Sequence, residues 1–264
     1  MKQQPLIKKL RAGLKADETG NKANSLIFLH HYGFNIPLTY LVTTNAHAMY
    51  LAKESSLLEN LQRELETLPE TTWAVRSSTT AEDSSEFSFA GQFQTFINVT
   101  GKEKILDAVV KVWESASMLN INEYVLKAGV SGVRCGVIIQ EMIPAELAGV
   151  SFSRNPVTNQ NETVIEAVEG AGEELVQKGI TPMRWRIWKD TVSEGNEHYR
   201  LFHVIRKVAV DTVRLRRYYG QHIDIEWVYD GNQLYYLQLR QITARRDIQI
   251  YSSKMAKEML PGQV

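Results

Sequence analysis

Two acids, an amide and an arginine recur at strand spacing in HIDIEWVYDGNQLYYLQLRQIT, residues 222–243. Side chains on a strand alternate faces with period 2. In the first run Ile223, Ile225, Trp227 and Tyr229 hold the odd positions, and Asp224 and Glu226 the even ones. In the second run Tyr235, Leu237 and Leu239 are odd, and Gln238 and Arg240 are even. The DGN between them signals a turn. If the odd residues share one buried face, cross-strand partners must have numbers of even sum. That disfavours a two-residue loop and favours one of odd length, Gly231 to Gln233. Glu226 then stands opposite Gln238, and Asp224 opposite Arg240. Two chemistries fit this arrangement. One is a solvated sheet face with an Asp224–Arg240 ion pair, worth about 0.2–1 kcal/mol. The other is a site for Mg²⁺ and phosphate. Glu226 and Gln238 offer hard oxygens, and Mg²⁺ takes one or two protein ligands and completes its shell with phosphate and water. Arg240 would hold the phosphates.

Two further stretches carry anion-binding chemistry. ETGNKANSL places Gly20, Asn21 and Lys22 just ahead of a helix, where backbone amides and a lysine can meet an anion. Taken alone, these residues favour a plain turn with a solvated lysine. In AVRSSTTAEDSSEFSFAGQFQTF, Arg76 follows an apolar strand directly, and a run of small, hydroxylated or acidic residues leads to FAGQ. Gly91, framed by aromatics after a polar loop, can offer its N–H to a phosphate. A serine-rich surface loop is the alternative. There is no GxxxxGK[ST] loop and no GxGxxG after a strand, so the two commonest nucleotide signatures are missing.

The elements that must position these groups alternate irregularly. Residues 23–33 read as a helix closed by Gly33 and 38–44 as a strand, with Thr44 or Asn45 capping a helix through residue 54. Leu57, Leu58, Leu61, Leu65 and Leu68 mark a helix over 55–68. Residues 73–76 and 91–99 read as strands. Ile105, Val109, Val112, Trp113 and Ala116 give a helix over 102–117 one apolar stripe. A short helix is expected at 120–129, strands at 134–143, 148–154, 163–170 and 183–189, and a helical turn at 172–177. A long helix over 197–219 precedes the hairpin. Helices and strands mix without βαβ alternation, and the strands come in hairpin-like runs. The expected fold class is α+β.

Composition narrows the function classes. The chain has 264 residues, enough for one large domain or two joined subdomains. Hydrophobic content of 44% and charged content of 23% are those of a soluble globular protein. Formal net charge is zero, which offers nothing to nucleic acid or an anionic membrane. MKQQPLIKKL lacks the apolar run of a signal peptide, and no segment reaches 18 consecutive apolar residues. The single cysteine, Cys135, rules out an internal disulfide and a cysteine-based zinc site. It suits a cytoplasmic protein and reads as a core thiol. The tail 246–264 starts a helical pattern and stops at LPGQV, as a fragment of something longer would.

Six stretches occur in order: GNKANSL, VRSSTTAEDSSEFSFAGQFQTF, VIIQEM, GVSFSRNP, VIEAVEGAGEELVQKGITP and DIEWVYDGNQLYYLQLRQIT. Together they resemble the N-terminal ATP-binding domain of the pyruvate phosphate dikinase and phosphoenolpyruvate synthase family, which rifampin phosphotransferases and glucan-water dikinases share. The resemblance runs from about Gly20 to Thr243. It implies an ATP-grasp fold of two α+β subdomains with the nucleotide between them, here 1–136 and 137–245. It assigns Lys22 and Arg76 to the ATP phosphates, and Gly91 and Thr95 to the glycine-rich segment over the triphosphate. Gln140, Glu141 and Met142 fall on the strand beside the adenine. Glu226 and Gln238 become the Mg²⁺ ligands, with Arg240 beside them. Gln241 stands where the family usually has proline, and MRWRIW is more aromatic than the family pattern.

The resemblance further implies a phosphotransferase that passes a phosphoryl group from MgATP to a histidine on a separate swivelling domain, and from there to an acceptor-binding domain. Neither partner domain is expected within these residues. His30, His31, His47, His198, His203 and His222 all lie outside any glycine- and threonine-rich acceptor loop. Two alternatives stand beside this reading. One is the same module of a rifampin phosphotransferase-like enzyme, and the other is a stand-alone ATP-binding regulatory module without turnover.

Overall fold

The computed structural model describes residues 5–80, 94–121, 134–170, 181–189 and 191–242. The expected α+β class is present, with two antiparallel sheets and helices beside them. The chain divides into two compact units, Met1–Met142 and Ile143–Val264. The break falls six residues beyond the expected 136/137. The reason is β5 (Cys135–Glu141), which pairs with one strand of the first unit along its whole length and with another over residues 137–140. The tail 246–264 lies outside the described residues, as do most of the helix expected at 120–129 and the turn expected at 172–177.

The first unit holds β1 (Ile7–Lys9), β2 (Thr39–Val42), β3 (Trp73–Thr79), β4 (Thr95–Val99) and β5, in the order β1-β2-β5-β3-β4. One face of this sheet is apolar. Trp73, Val75, Val99, Val137 and Ile139 pack there against α4 (Leu57–Leu65) and α5 (Lys102–Ile121). Leu57, Leu61 and Leu65 are buried at i, i+4, i+8, and so are Ile105, Val109, Val112 and Trp113 on α5. Between β2 and α4 lies α3 (Thr44–Leu51). Its cap is Thr43, whose hydroxyl accepts from Ala46 N at 3.3 Å. The expected cap Thr44 instead donates to the Asp17 carbonyl at 2.6 Å, in α1 (Ala16–Thr19). β3 runs three residues further than expected, because Ser77, Ser78 and Thr79 continue the ladder to β5.

The second unit is a six-stranded sheet in the order β11-β10-β6-β7-β8-β9. Its strands are β6 (Leu147–Phe152), β7 (Thr163–Glu169), β8 (Met183–Trp188), β9 (Thr191–Glu194), β10 (Ile223–Tyr229) and β11 (Leu234–Gln241). One face carries α6 (Phe202–Tyr219), which buries Val204, Ile205, Val208, Thr212 and Leu215. The helix starts five residues later than expected and ends at Gly220 in a left-handed conformation. Ser151 Oγ and Thr212 Oγ1 lie 2.7 Å apart, fixing which side of β6 meets the helix.

Candidate functional site

In the first unit the strand register gathers the expected phosphate-binding groups on the sheet face away from α4 and α5. Cross-strand partners share a face. Arg76 on β3 pairs with Thr95 on β4 and with Ile138 on β5. Ala74 pairs with Gln140, and Ser78 with Gly136. Arg76, Thr95, Gln140 and Ser78 therefore point the same way. Arg76 and Thr95 are half-buried.

Lys22 reaches this face through α2 (Asn21–His31), which begins against it. The α1–α2 junction rests directly on the strands. A Cβ on Gly20 would lie 1.9 Å from the Ser78 carbonyl oxygen, and one on Gly136 would lie 2.6 Å from that of Thr19. Gly20 has φ +83°, a conformation that excludes most side chains as well. Lys22 is thus held in the first turn of a helix whose start is packed on the strand that carries Arg76. The helix expected from ETGNKANSL begins on that strand.

The adenine-strand candidates divide. Gln140 is 1% exposed, and its Nε2 donates to Thr39 Oγ1 at 3.3 Å. That hydroxyl donates in turn to the Pro37 carbonyl at 2.8 Å. Glu141 pairs with Trp73, so its side chain is on the opposite face from Gln140 and Arg76. There its Oε1 accepts from Thr71 Oγ1 at 3.4 Å. The amides of Glu141 and Met142 donate to the carbonyls of Leu38 and Thr72. Gly91 lies outside the described residues.

In the second unit the hairpin places Glu226 opposite Gln238 and Asp224 opposite Arg240, as the sequence predicts. It does so by a different route. Tyr229 pairs with Leu234, leaving a four-residue loop of even length. Asp230 Oδ1 accepts from Asn232 N and Gln233 N across that loop, which holds the Asp230 carboxyl below its ordinary range. A bulge then restores the register. Trp227 pairs with Tyr236 and Glu226 with Gln238, so Leu237 is the extra residue. The predicted buried set is corrected accordingly. Tyr236 faces α6 in place of Tyr235 and Leu237, and its hydroxyl donates to Asp211 Oδ2 at 2.5 Å. Burial first, and then the Asp211 carboxylate, push the Tyr236 hydroxyl well above its ordinary pKa.

The face away from α6 is not a solvated one. Glu226 is 7% exposed and Gln238 6%. The Glu226 carboxylate has no hydrogen-bond donor or ion-pair partner among the described residues. Its neighbour on β6 is Val150, clustered with Phe152 and Val164. Turning the Gln238 amide so that its oxygen meets Arg240 gives a bond of 2.8 Å to Nη2. A carboxylate at 7% exposure with no donor among the described residues is suited to a cation. The donor set, one carboxylate and one carboxamide beside a guanidinium, fits a hard divalent cation carrying phosphate.

One residue on this face escaped the sequence reading. Glu166 on β7 pairs with Val150, so it lies in one row with Glu226 and Gln238. Burial raises its pKa, partly offset by Arg184 at 3.7 Å. Alternation along VIEAVEG was the available signal.

Residues 56–207 match the family model described as the pyruvate phosphate dikinase AMP/ATP-binding domain. The chain belongs to this family. The matched span holds Arg76, Thr95 and Gln140 to Met142, and it ends before the hairpin. A probable phosphoenolpyruvate synthase of Archaeoglobus fulgidus is 29% identical over 221 residues, 72% of this chain and 29% of that protein. The phosphoenolpyruvate synthase of Pyrococcus furiosus is 33% identical over 214 residues, 66% of this chain and 26% of that protein. An uncharacterized phosphotransferase of Bacillus subtilis, YvkC, is 28% identical over 275 residues, 85% of this chain and 33% of that protein. This member of the dikinase ATP-binding family spans a third or less of those relatives.

Proposed function

We propose that this chain binds MgATP as the nucleotide-binding part of a phosphoenolpyruvate synthase-like or pyruvate phosphate dikinase-like phosphotransferase, with an ATP-grasp fold. The observation that carries the reading is Glu226, a buried residue whose carboxylate has no partner among the described residues, opposite Gln238 and one step from Arg240, in a chain of an AMP/ATP-binding family. Glu226 and Gln238 would hold Mg²⁺. Mg²⁺ held there would supply positive charge to offset the phosphates. Lys22 and Arg76 in the first unit, and Arg240 in the second, would each offer a cation to phosphate, and charge neutralisation is most of what phosphoryl transfer asks of a protein. Thr95, cross-strand from Arg76, would add a hydroxyl to the same phosphates.

The phosphoryl acceptor is proposed to be a histidine on a separate domain. Burial drives the His47 imidazole down to a pKa of about 4, and its Nδ1 accepts from Cys135 N at 3.2 Å. It serves the core of the first unit and is poorly placed to receive phosphate. His222 is also lowered, by burial and then by Arg216 and Arg154, and its ring lies beside Ser153 Oγ at 3.5 Å.

Calorimetry with ATP, with and without Mg²⁺, tests the reading. ATP should bind at least about tenfold more tightly with Mg²⁺, and Glu226→Ala and Gln238→Ala should each remove most of that gain. Equal affinity in wild type and both variants would sink the metal site. The acceptor is tested by mixing the chain with a histidine-bearing domain of a full-length relative. Label from γ- or β-phosphate should appear on its histidine, and steady ATP hydrolysis by this chain alone would count against a separate acceptor.

A further inference from the structure

We propose that Ser78 is a positioning residue that sets Lys22 against Arg76 by capping α2 from a strand more than fifty residues away. The inference rests on the reading of Lys22 and Arg76 as phosphate-binding groups. Gly20 occupies the N-cap of α2 and has no side chain with which to cap it. The first helical amides would then lack partners. Ser78 Oγ accepts from Ala23 N at 3.0 Å, in a buried bond. Ala23 is the third residue of α2, where an N-cap oxygen would ordinarily reach. Ser78 thus supplies from β3 the oxygen that Gly20 lacks.

The same contact fixes the two cations. Lys22 precedes Ala23 directly. Arg76 lies two residues before Ser78 on the same face of β3, roughly 7 Å away along the strand. Asn21 Nδ2 adds a second tie, donating to the Thr80 carbonyl at 3.2 Å. The fit is close. Ser78 is fully buried, its carbonyl lies where a Gly20 Cβ would be, and its cross-strand neighbour Gly136 receives the Thr19 carbonyl. A shift of α2 along β3 therefore breaks a buried hydrogen bond and produces a clash. One hydroxyl links two phosphate contacts whose separation must match the triphosphate.

The test is a double-mutant cycle read by ATP and adenosine binding to the 264-residue chain. Ser78→Ala should weaken ATP binding roughly five- to tenfold, the scale of a lost cap. Adenosine, which lacks phosphates, should change less than about twofold. In a Lys22→Ala background Ser78→Ala should add less than about twofold, because its effect passes through that lysine. Ser78→Cys, nearly the same shape with a weak acceptor, should give the same selective loss and guards against misfolding in the alanine variant. Equal losses for ATP and adenosine, or a full Ser78→Ala effect without Lys22, would overturn the positioning role while leaving the phosphate site intact. If Lys22→Ala itself binds ATP like wild type, the phosphate reading fails and this proposal falls with it.

Discussion

Replacing Glu226 by glutamine should make the protein more stable and less able to bind MgATP. The two effects share one cause. Glu226 is 7% exposed and meets no donor or cation among the described residues. A buried polar group left unsatisfied costs about 1–3 kcal/mol, and a charged one more. Glutamine keeps the shape and removes the charge, but its amide is still imperfectly satisfied. In chelator, where no metal completes the carboxylate, the variant should gain about 1–2 kcal/mol. For a chain of this size that is a rise of roughly 2–8 °C in the melting transition. With Mg²⁺ and ATP the order should reverse. Wild type gains binding free energy in its folded state and the variant gains little, so ligand should raise the wild-type transition and barely move that of Glu226→Gln. Thermal unfolding of both proteins in chelator, in Mg²⁺ and in MgATP supplies all six values. A variant that is less stable in chelator and shifts with MgATP as wild type does would refute the reasoning. Glu226 would then be an ordinary structural acid.

Three further outcomes follow from the packing. The unfolded chain protonates histidine near pH 6.5, whereas His47 in the fold stays neutral to about pH 4, so the unfolded state binds more protons between those values. Stability should be full above pH 6.5 and fall as pH drops toward 4, by up to about 3 kcal/mol. Denaturant titrations across that window should show a flatter profile for His47→Gln, and an unchanged slope would remove His47 as the cause. Tyr236→Phe leaves Asp211 with Lys207 alone and should cost about 1–3 kcal/mol in urea unfolding while MgATP affinity holds, since the Tyr236 ring and Leu239 still fix the bulge; a large loss of affinity would show that the hydroxyl sets the register. Gly149→Ala puts a Cβ 2.2 Å from the Glu166 carbonyl oxygen and should cost about 3 kcal/mol through the β6–β7 pairing. A melting transition at the wild-type temperature would mean the strands part without penalty.

The elements with strong periodicity were legible in the sequence. Leu57, Leu61 and Leu65 of α4 and the apolar stripe of α5 lie buried as their spacing predicts, Leu58 turns out to solvent, 44% exposed, and the α+β mixture emerges from irregular alternation alone. The weak elements were not. β1 and β9 are three and four residues long, too short for period 2 to register, and they hold their place by pairing with β2 and β8. Ser77, Ser78 and Thr79 read as loop because small hydroxylated residues favour turns, yet the ladder to β5 makes them the end of a strand. Tertiary pairing outweighed local preference there, and with it went the proposed capping role of Ser78, which depends on a donor, Ala23 N, far away in the chain.

The hairpin shows why a correct pairing can rest on an incorrect turn. Parity predicts only that the apolar residues of both strands share a face, and it assumes that neither strand changes parity along its length. β11 does change. Leu234 and Tyr236 follow one alternation and Leu239 the other, with Leu237 as the residue between. An odd loop without a bulge and an even loop with one give the same pairs at Glu226 and Asp224, so those pairs cannot distinguish the two. They differ in what lies closer to the turn. The bulge lets Tyr236 face α6 and bind Asp211 while Gln238, two residues on, faces the other way beside Glu226. In an unbroken strand residues 236 and 238 would share a face, and one of the two tasks would be lost. The extra residue thus lets neighbouring positions of one strand serve the core and the candidate metal site, a demand that hydrophobic pattern alone does not encode.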